Sequence, residues 1–247
     1  MAGAARTSGF TLLEMSVSVT VIGLLAAIAS TAYSGMADVR ARSRAHAEAD
    51  TARHAIRTFM LQHKRLPCPD PSSGGDGARE PAGACPGGLQ VGWLPYESIG
   101  LARPEPARRM RYAVSRGTGA DLVVPTGSAA DGVDIDGIGR LQDALIAAAQ
   151  APAGTARPFV TGKGTAADAE SCAHVVANPA FAIIAPVADR DDAGGSHPRF
   201  DGINQAMADS DALCIAAPGR AMDAGYDDVV VAESASALLG WLATSTR

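Results

Sequence analysis

Gly9-Phe10-Thr11-Leu12-Leu13-Glu14 opens the stretch that decides the fold, and an apolar run follows it to about Tyr33. Phe10 to Tyr33 supply 24 positions, long enough for a helix to span a bilayer core of about 30 Å. One carboxylate, Glu14, stands five positions into this run. On insertion scales an acidic side chain at the centre of such a helix costs about 2.5–3.5 kcal/mol. The placement becomes reasonable if the chain is cut after Gly9, because the new ammonium of Phe10 then lies about a turn from such a carboxylate. In a packed array of identical helices, the amine of one subunit meets Glu14 of the next. Two ordinary readings compete. A secretory signal peptide finds a small-x-small site in Ala27-Ile28-Ala29 before Ser30. A plain anchor needs only the apolar run. Neither explains Glu14 or Gly9-Phe10.

The six residues Gly9 to Glu14 resemble the prepilin-type cleavage and methylation motif of type IV pilins and type II secretion pseudopilins. The resemblance implies that Met1–Gly9, a short polar leader carrying Arg6, is removed by prepilin peptidase on the cytoplasmic side. Phe10 becomes the new N-terminus, usually N-methylated in that family, and Glu14 registers one subunit against the next. These are substrate and assembly features rather than a catalytic site. The implied partners are prepilin peptidase, an inner-membrane assembly platform and other pilin or pseudopilin subunits. The implied location is the bacterial inner membrane, single-pass with the head in the periplasm, and then a pilus or pseudopilus. Glu14 also speaks against the tip-type pseudopilin class that typically lacks this acid.

The helical signal continues past Tyr33, with no proline between Met36 and Lys64. Ala49, Ala52, Ile56, Phe59, Met60 and His63 recur at steps of three and four, one apolar stripe on an amphipathic helix. A helix from Phe10 to about Arg65 is roughly 80 Å long. Pro67 and Pro69 end it. Arg40, Arg42 and Arg44 cluster beyond the apolar run, as a solvated face or membrane-edge anchor, with a lipid-head-group site as the rival. The expected organisation is a leader at 1–9, a membrane or fibre-core segment at 10–33, an amphipathic segment at 34–65, and a globular head at 66–247.

With 247 residues and 47% hydrophobic content the head has enough material for a core. A net charge of −5 argues against a nucleic-acid surface. Four cysteines in a chain that leaves the cytoplasm favour disulfides. Proximity favours Cys68–Cys85 and Cys172–Cys214 among three pairings, and bridging the Pro- and Gly-rich loop between Cys68 and Cys85 is worth about 3 kcal/mol. Zinc is a weak rival: there is no Cys-x-x-Cys, and only Cys172-Ala-His174 pairs a histidine with a cysteine. Strands are expected at Met110–Val114, Leu122–Val124, Phe181–Val187, Leu213–Ala216 and Asp228–Ala232. Helices are expected at Ile138–Gln150 and Ser234–Leu242, with long loops at 115–137, 151–168 and 188–212. Arg65-Leu66-Pro67-Cys68-Pro69, Gly92-Trp93-Leu94-Pro95-Tyr96, Ile99-Gly100-Leu101 and Arg111-Tyr112-Ala113-Val114 extend the resemblance to prepilin-type proteins with a large cysteine-bearing head. Arg103-Pro104-Glu105-Pro106 departs from the Asp-Trp-Gly-like segment expected there. The fold expected is α+β and type IV pilin-like, a long N-terminal helix on a mainly antiparallel sheet.

Acidic groups are the first candidates for chemistry: Asp131, Asp134 and Asp136; Asp189, Asp191 and Asp192; Asp209 and Asp211; Asp223, Asp227 and Asp228. Calcium wants several oxygens gathered in one loop. An EF-hand register on Asp134 and Asp136 puts Gly132 first and fails, so Asp131, Asp134 and Asp136 are weak calcium candidates and the acids read mainly as solvated turns. Gly162-Lys163-Gly164-Thr165 lacks the glycine a phosphate loop needs five positions earlier, where Arg157 stands. The five histidines, His46, His54, His63, His174 and His197, fit no metal or nucleophile motif. Trp93, Tyr96 and Trp241 read as core anchors, with a sugar- or partner-binding patch as the rival. No constellation supports catalysis and no cofactor is implied. The expected function is a structural subunit, a minor pilin or pseudopilin, and the alternative is an adhesive head contacting a surface, glycan or secreted substrate.

Overall fold

The structure, a computed structural model, describes residues 11–82, 84–117, 120–124, 137–162, 171–191 and 194–245, without the side chains of 29–34. Helix α1 runs Leu12–His63. Its residues to Ser43 fall in one compact unit and the rest, with the head, in a second that begins at Arg44.

In the first unit every described side chain from Thr11 to Ile28 is exposed. Leu12 is 92% exposed, and Val19, Ile22 and Leu25 are likewise open. Among the described residues no helix is long and apolar enough to cross a membrane. Of the expected segment over 10–33, Phe10 and the side chains of 29–33 lie outside the described residues.

In the second unit the stripe at Ala45, Ala49, Ala52, Ile56, Phe59 and Met60 is buried, with Ala49, Ile56 and Met60 at zero exposure. His63, expected on that stripe, lies exposed and stacks on Phe59 with ring centroids 4.1 Å apart. Lys64 then takes a left-handed backbone (φ 55) and its N–H donates to the Met60 carbonyl at 2.9 Å, closing the helix before Pro67.

The head holds a four-stranded antiparallel sheet in the order β1 (Val91–Trp93), β2 (Arg111–Val114), β5 (Phe181–Ala185), β7 (Val229–Glu233). Alternation along the strands gives it two buried faces. Tyr112, Val114, Phe181, Ile183, Ala185 and Val229 point into one core with the α1 stripe, with Leu141, Ala144, Leu145 and Ala148 of α2 (Ile138–Gln150), and with Leu238 and Leu242 of α4 (Ala235–Ser245). Trp93, Ala113, Ala182, Ile184 and Val230 point into a second core with Met207 and Ala208 of α3 (Ile203–Ser210). A smaller sheet supplies Val160 and Ile215 to that core. It pairs β3 (Phe159–Thr161) antiparallel with β4 (Val175–Ala177) and parallel with β6 (Cys214–Ile215).

Cys68 bonds Cys85 and Cys172 bonds Cys214, so one bridge closes the loop after α1 and the other ties β6 to the segment before β4. Glu80 reinforces the first region: it accepts both Arg65 guanidinium nitrogens at 2.6 and 3.0 Å and the Cys68 N–H at 2.5 Å. Asp70 shapes the same loop by accepting from the N–H groups of Ser72 and Ala78 at 2.9 and 2.7 Å. Gly92 is required beside it, since a Cβ there would sit 2.6 Å from the Asp70 carbonyl oxygen.

Three expectations change. Leu122–Val124 forms no strand. Leu122 and Val123 are buried in a bend, where the Leu122 carbonyl accepts from Leu66 N–H at 2.8 Å. Strands β3 and β4 and helix α3 occupy or adjoin stretches expected to be loop. The antiparallel expectation holds for the larger sheet, while β3 and β6 run parallel.

Ile56→Ala is expected to lower stability by about 2–5 kcal/mol, because the site is fully buried. Val39→Ala, at a 64% exposed position, should stay within about 0.5 kcal/mol. Denaturant midpoints of the two variants check this, and equal losses would contradict the packing.

Candidate functional site

The motif residues within the described structure run from Thr11 to Glu14, at the first turn of α1. The Glu14 carboxylate accepts the Thr11 N–H at 2.9 Å and the Thr11 hydroxyl at 3.0 Å, and the Glu14 N–H donates to Thr11 Oγ1 at 3.3 Å. This is a reciprocal capping box, in which a threonine and a glutamate three residues on satisfy each other's otherwise unpaired backbone donors. It gives Glu14 a local role beyond any contact between subunits. Behind it, Ser16, Ser18 and Thr20 donate their hydroxyls to the carbonyls of Leu13, Glu14 and Ser16 at 2.9, 2.7 and 2.8 Å. Those bonds hide three hydroxyls against the backbone and leave the face to Leu12, Leu13, Val17, Val21, Leu24, Leu25 and neighbours. Gly9 and Phe10, the cleavage and methylation positions, lie outside the described residues, as do Asp131, Asp134 and Asp136 and the Lys163–Thr165 segment.

The head carries a polar cleft of about 290 Å³ whose lining includes Asp70, Trp93, Arg111, His197, Asp209 and Asp211. Arg111 lies 4.9 Å over the Trp93 ring, bonds the Asp211 carboxylate and donates to the Met207 carbonyl at 3.0 Å. His197 meets Trp93 edge-on at 4.6 Å, and burial holds its imidazole below the usual histidine range. Trp93 and Tyr96 are buried, and Trp241 sits half-buried beneath the Arg57 guanidinium at 5.4 Å. These three aromatics therefore act as anchors and do not form an exposed sugar-binding patch.

The acids at 189–191 and 227–228, read as solvated turns, gather around a residue the sequence did not single out. Asp201, Asp227 and Asp228 are buried, and one carboxylate oxygen from each lies within 4.8 Å of the others. Asp189 and Asp191 form a second such trio with Asp201. Burial, the largest influence, pushes the Asp201 carboxyl up to about 6 and Asp228 well above the ordinary carboxylate range. No local sequence signal could have found this group, because its members come from the segment before α3 and from the two residues that precede β7.

Thr11→Ala removes one half of the capping box. A lost cap of this kind is worth about 0.5–2 kcal/mol, so amide exchange over residues 12–15 should accelerate roughly 2- to 30-fold. Unchanged exchange would show that the box does not hold the first turn.

No curated protein matches the chain, and no solved structure does. Residues 5–30 match the family model described as the prokaryotic N-terminal methylation motif, so this chain carries the signature of type IV pilins and pseudopilins.

Proposed function

We propose that the chain is a minor pilin or pseudopilin, a structural subunit that prepilin peptidase processes after Gly9 before assembly into a type IV pilus or a type II secretion pseudopilus. The observation that carries this reading is the methylation motif at residues 5–30 together with the exposed apolar side chains of α1 from Leu12 to Ile28 and at Met36 and Val39. A row of exposed leucines, valines and isoleucines is not sustained in water. It calls for lipid before assembly and for neighbouring helices after it. In this reading residues 10–33 anchor the chain in the bacterial inner membrane with the head in the periplasm. An assembly platform then draws it into a fibre beside other subunits. Phe10 carries the new ammonium, and Glu14 of one subunit meets it from the next.

The large head with two cores and two disulfides suits a low-abundance subunit that primes assembly or sits near a tip, better than one repeated along a whole fibre. A second reading, an adhesive or substrate-contacting head, draws support from the polar cleft around Arg111 and His197. The two readings are compatible. The family signature is that of structural subunits, and the proposal includes no catalytic role.

Glu14 has two candidate roles, capping its own helix and pairing with a neighbour's Phe10, and paired variants separate them. Glu14→Ala should leave membrane insertion intact and sharply reduce the protein in the sheared fibre fraction, where it is expected as a minority species. Thr11→Ala disturbs the cap alone and should assemble nearly normally. Normal incorporation of Glu14→Ala would remove the registry role, and equal loss in both variants would reduce Glu14 to a helix cap.

A further inference from the structure

We propose that the polar cleft between the loop at 70–74 and the end of α3 receives a lysine side chain from a peptide segment of a partner protein, with Asp209 and Asp211 meeting its ammonium. This deepens the second reading above, a head that contacts a partner, and does not depend on assembly into a fibre.

The register of the larger sheet builds the floor. Trp93 of β1 pairs with Arg111 of β2, and the Arg111 guanidinium lies 4.9 Å over the indole. The Arg111 side chain is 3% exposed and Trp93 is 4% exposed. Gly75 packs against the same indole, where a Cβ would come within 2.8 Å of Trp93 Cγ. A ligand therefore finds no free aromatic face to stack on, which disfavours a sugar ring or a guanidinium. It finds charge and hydrogen-bonding groups instead.

The walls set the sign of that charge. Asp70, Asp209 and Asp211 line the cleft together with one cation, Arg111. His197 adds no second cation at pH 7, because burial holds its imidazole below the usual histidine range. The cleft is thus net negative. Asp70 is occupied in its own loop, accepting from the Ser72 and Ala78 N–H groups and the Ser72 hydroxyl at 2.9, 2.7 and 2.9 Å. Asp209 and Asp211 are available. Asp209 is exposed and accepts Ser196 N–H at 3.1 Å through Oδ1, while Asp211, with a 65% exposed side chain, bonds Arg111 through Oδ1. Among the described residues the Oδ2 atom of each makes no hydrogen bond. Both residues stand at the C-terminal end of α3, where the backbone carbonyls also favour a cation.

A second observation is independent of the acids. Arg111 Nη2 donates to the Met207 carbonyl and to Asp211, yet Arg111 Nε is buried with no partner. Buried polar atoms are almost always paired, so an unused donor in the floor calls for an acceptor. A bare ammonium has none. A lysine within a peptide brings both groups, a cation for the mouth and a main-chain carbonyl for the floor. A metal ion fits less well, because among the described residues these carboxylates and His197 form no trio of ligand atoms within 4.8 Å of one another. The volume of about 290 Å³ is at the small end of ligand pockets, room for one long side chain and its main chain rather than a folded element.

The test uses the full chain in detergent with Trp241→Phe, so that Trp93 alone reports by fluorescence. The probes are the capped tripeptides Gly-Lys-Gly, Gly-Gln-Gly and Gly-Glu-Gly, with butylamine and methyl glucoside beside them. Gly-Lys-Gly should saturate with a Kd of about 1 mM, and its binding should weaken as salt rises. Butylamine, which lacks the carbonyl, should bind about threefold more weakly. Asp209→Asn keeps an acceptor for Ser196 N–H and leaves the Arg111–Asp211 pair intact, and it should weaken Gly-Lys-Gly about threefold or more. No saturable change at about ten times the expected Kd would overturn the proposal, as would equal binding of Gly-Gln-Gly or undiminished binding in Asp209→Asn. Preference for Gly-Glu-Gly would overturn it in favour of an anion site. Preference for methyl glucoside would overturn the lysine while keeping a contacting head. Equal binding of butylamine would overturn the carbonyl contact at Arg111. Should Asp209→Asn fail to fold, the unsubstituted acids decide: a salt-sensitive preference for Gly-Lys-Gly over Gly-Gln-Gly supports the site, and its absence overturns it.

Discussion

The buried stripe of α1 is the constraint on which the head depends. Ala45, Ala49 and Ala52 keep the helix surface low, and Ile56, Phe59 and Met60 fill the space between it and the sheet residues Tyr112, Phe181 and Ile183. Small residues at one end and large ones at the other let one helix lie over a twisted sheet while α2 and α4 close the sides of the same core. Polar links fasten the arrangement at its edges. Arg57 pairs with Glu233 of β7 at 2.8 Å while lying over Trp241, and Arg65 pairs with Glu80 next to the Cys68–Cys85 bridge. Tyr112 completes the junction from inside by donating its hydroxyl to the Pro67 carbonyl at 3.1 Å, just beyond the end of the helix.

The same helix begins with an opposite character. Its large apolar residues from Leu12 to Ile28, with Met36 and Val39, are open, while Ala45, Ala49, Ala52, Ile56, Phe59 and Met60 are buried. Exposed apolar rows of this kind mark interaction surfaces, and this one coincides with the methylation motif at residues 5–30. The capping box refines this account. A glutamate within an apolar helix is costly when isolated, but at the third position of a helix it satisfies donors that the first turn leaves unpaired. Glu14 is thereby held at the helix start.

Much of the fold was legible in the sequence because its strongest elements are periodic. Helix α2 occupies Ile138–Gln150 as the spacing of Leu141, Leu145 and their neighbours predicts, β2 and β5 lie within the expected aliphatic runs, and β7 is displaced from its run by one residue. The bonded cysteines are the pairs that proximity favours. Helix α3 was illegible: Ile-Asn-Gln-Ala-Met-Ala-Asp-Ser begins after Gly202 with no side-chain cap and offers only Met207 and Ala208 as buried apolar residues. Leu122 and Val123 carried a strand signal through hydrophobicity alone and were buried in a bend instead. The aspartate cluster was invisible for a different reason. Asp201 is solitary in sequence, and the fold alone brings it to Asp227 and Asp228.

The central claim is that the chain is handled as a prepilin, cut before the helix that later meets its neighbours. Intact-mass and N-terminal peptide mass spectrometry of the protein purified from its host membranes tests this most directly. The account predicts a mature N-terminus at Phe10 bearing one added methyl group. A mature N-terminus at Ser30 would contradict it in favour of an ordinary exported protein, and retention of the leader through Gly9 would contradict processing altogether.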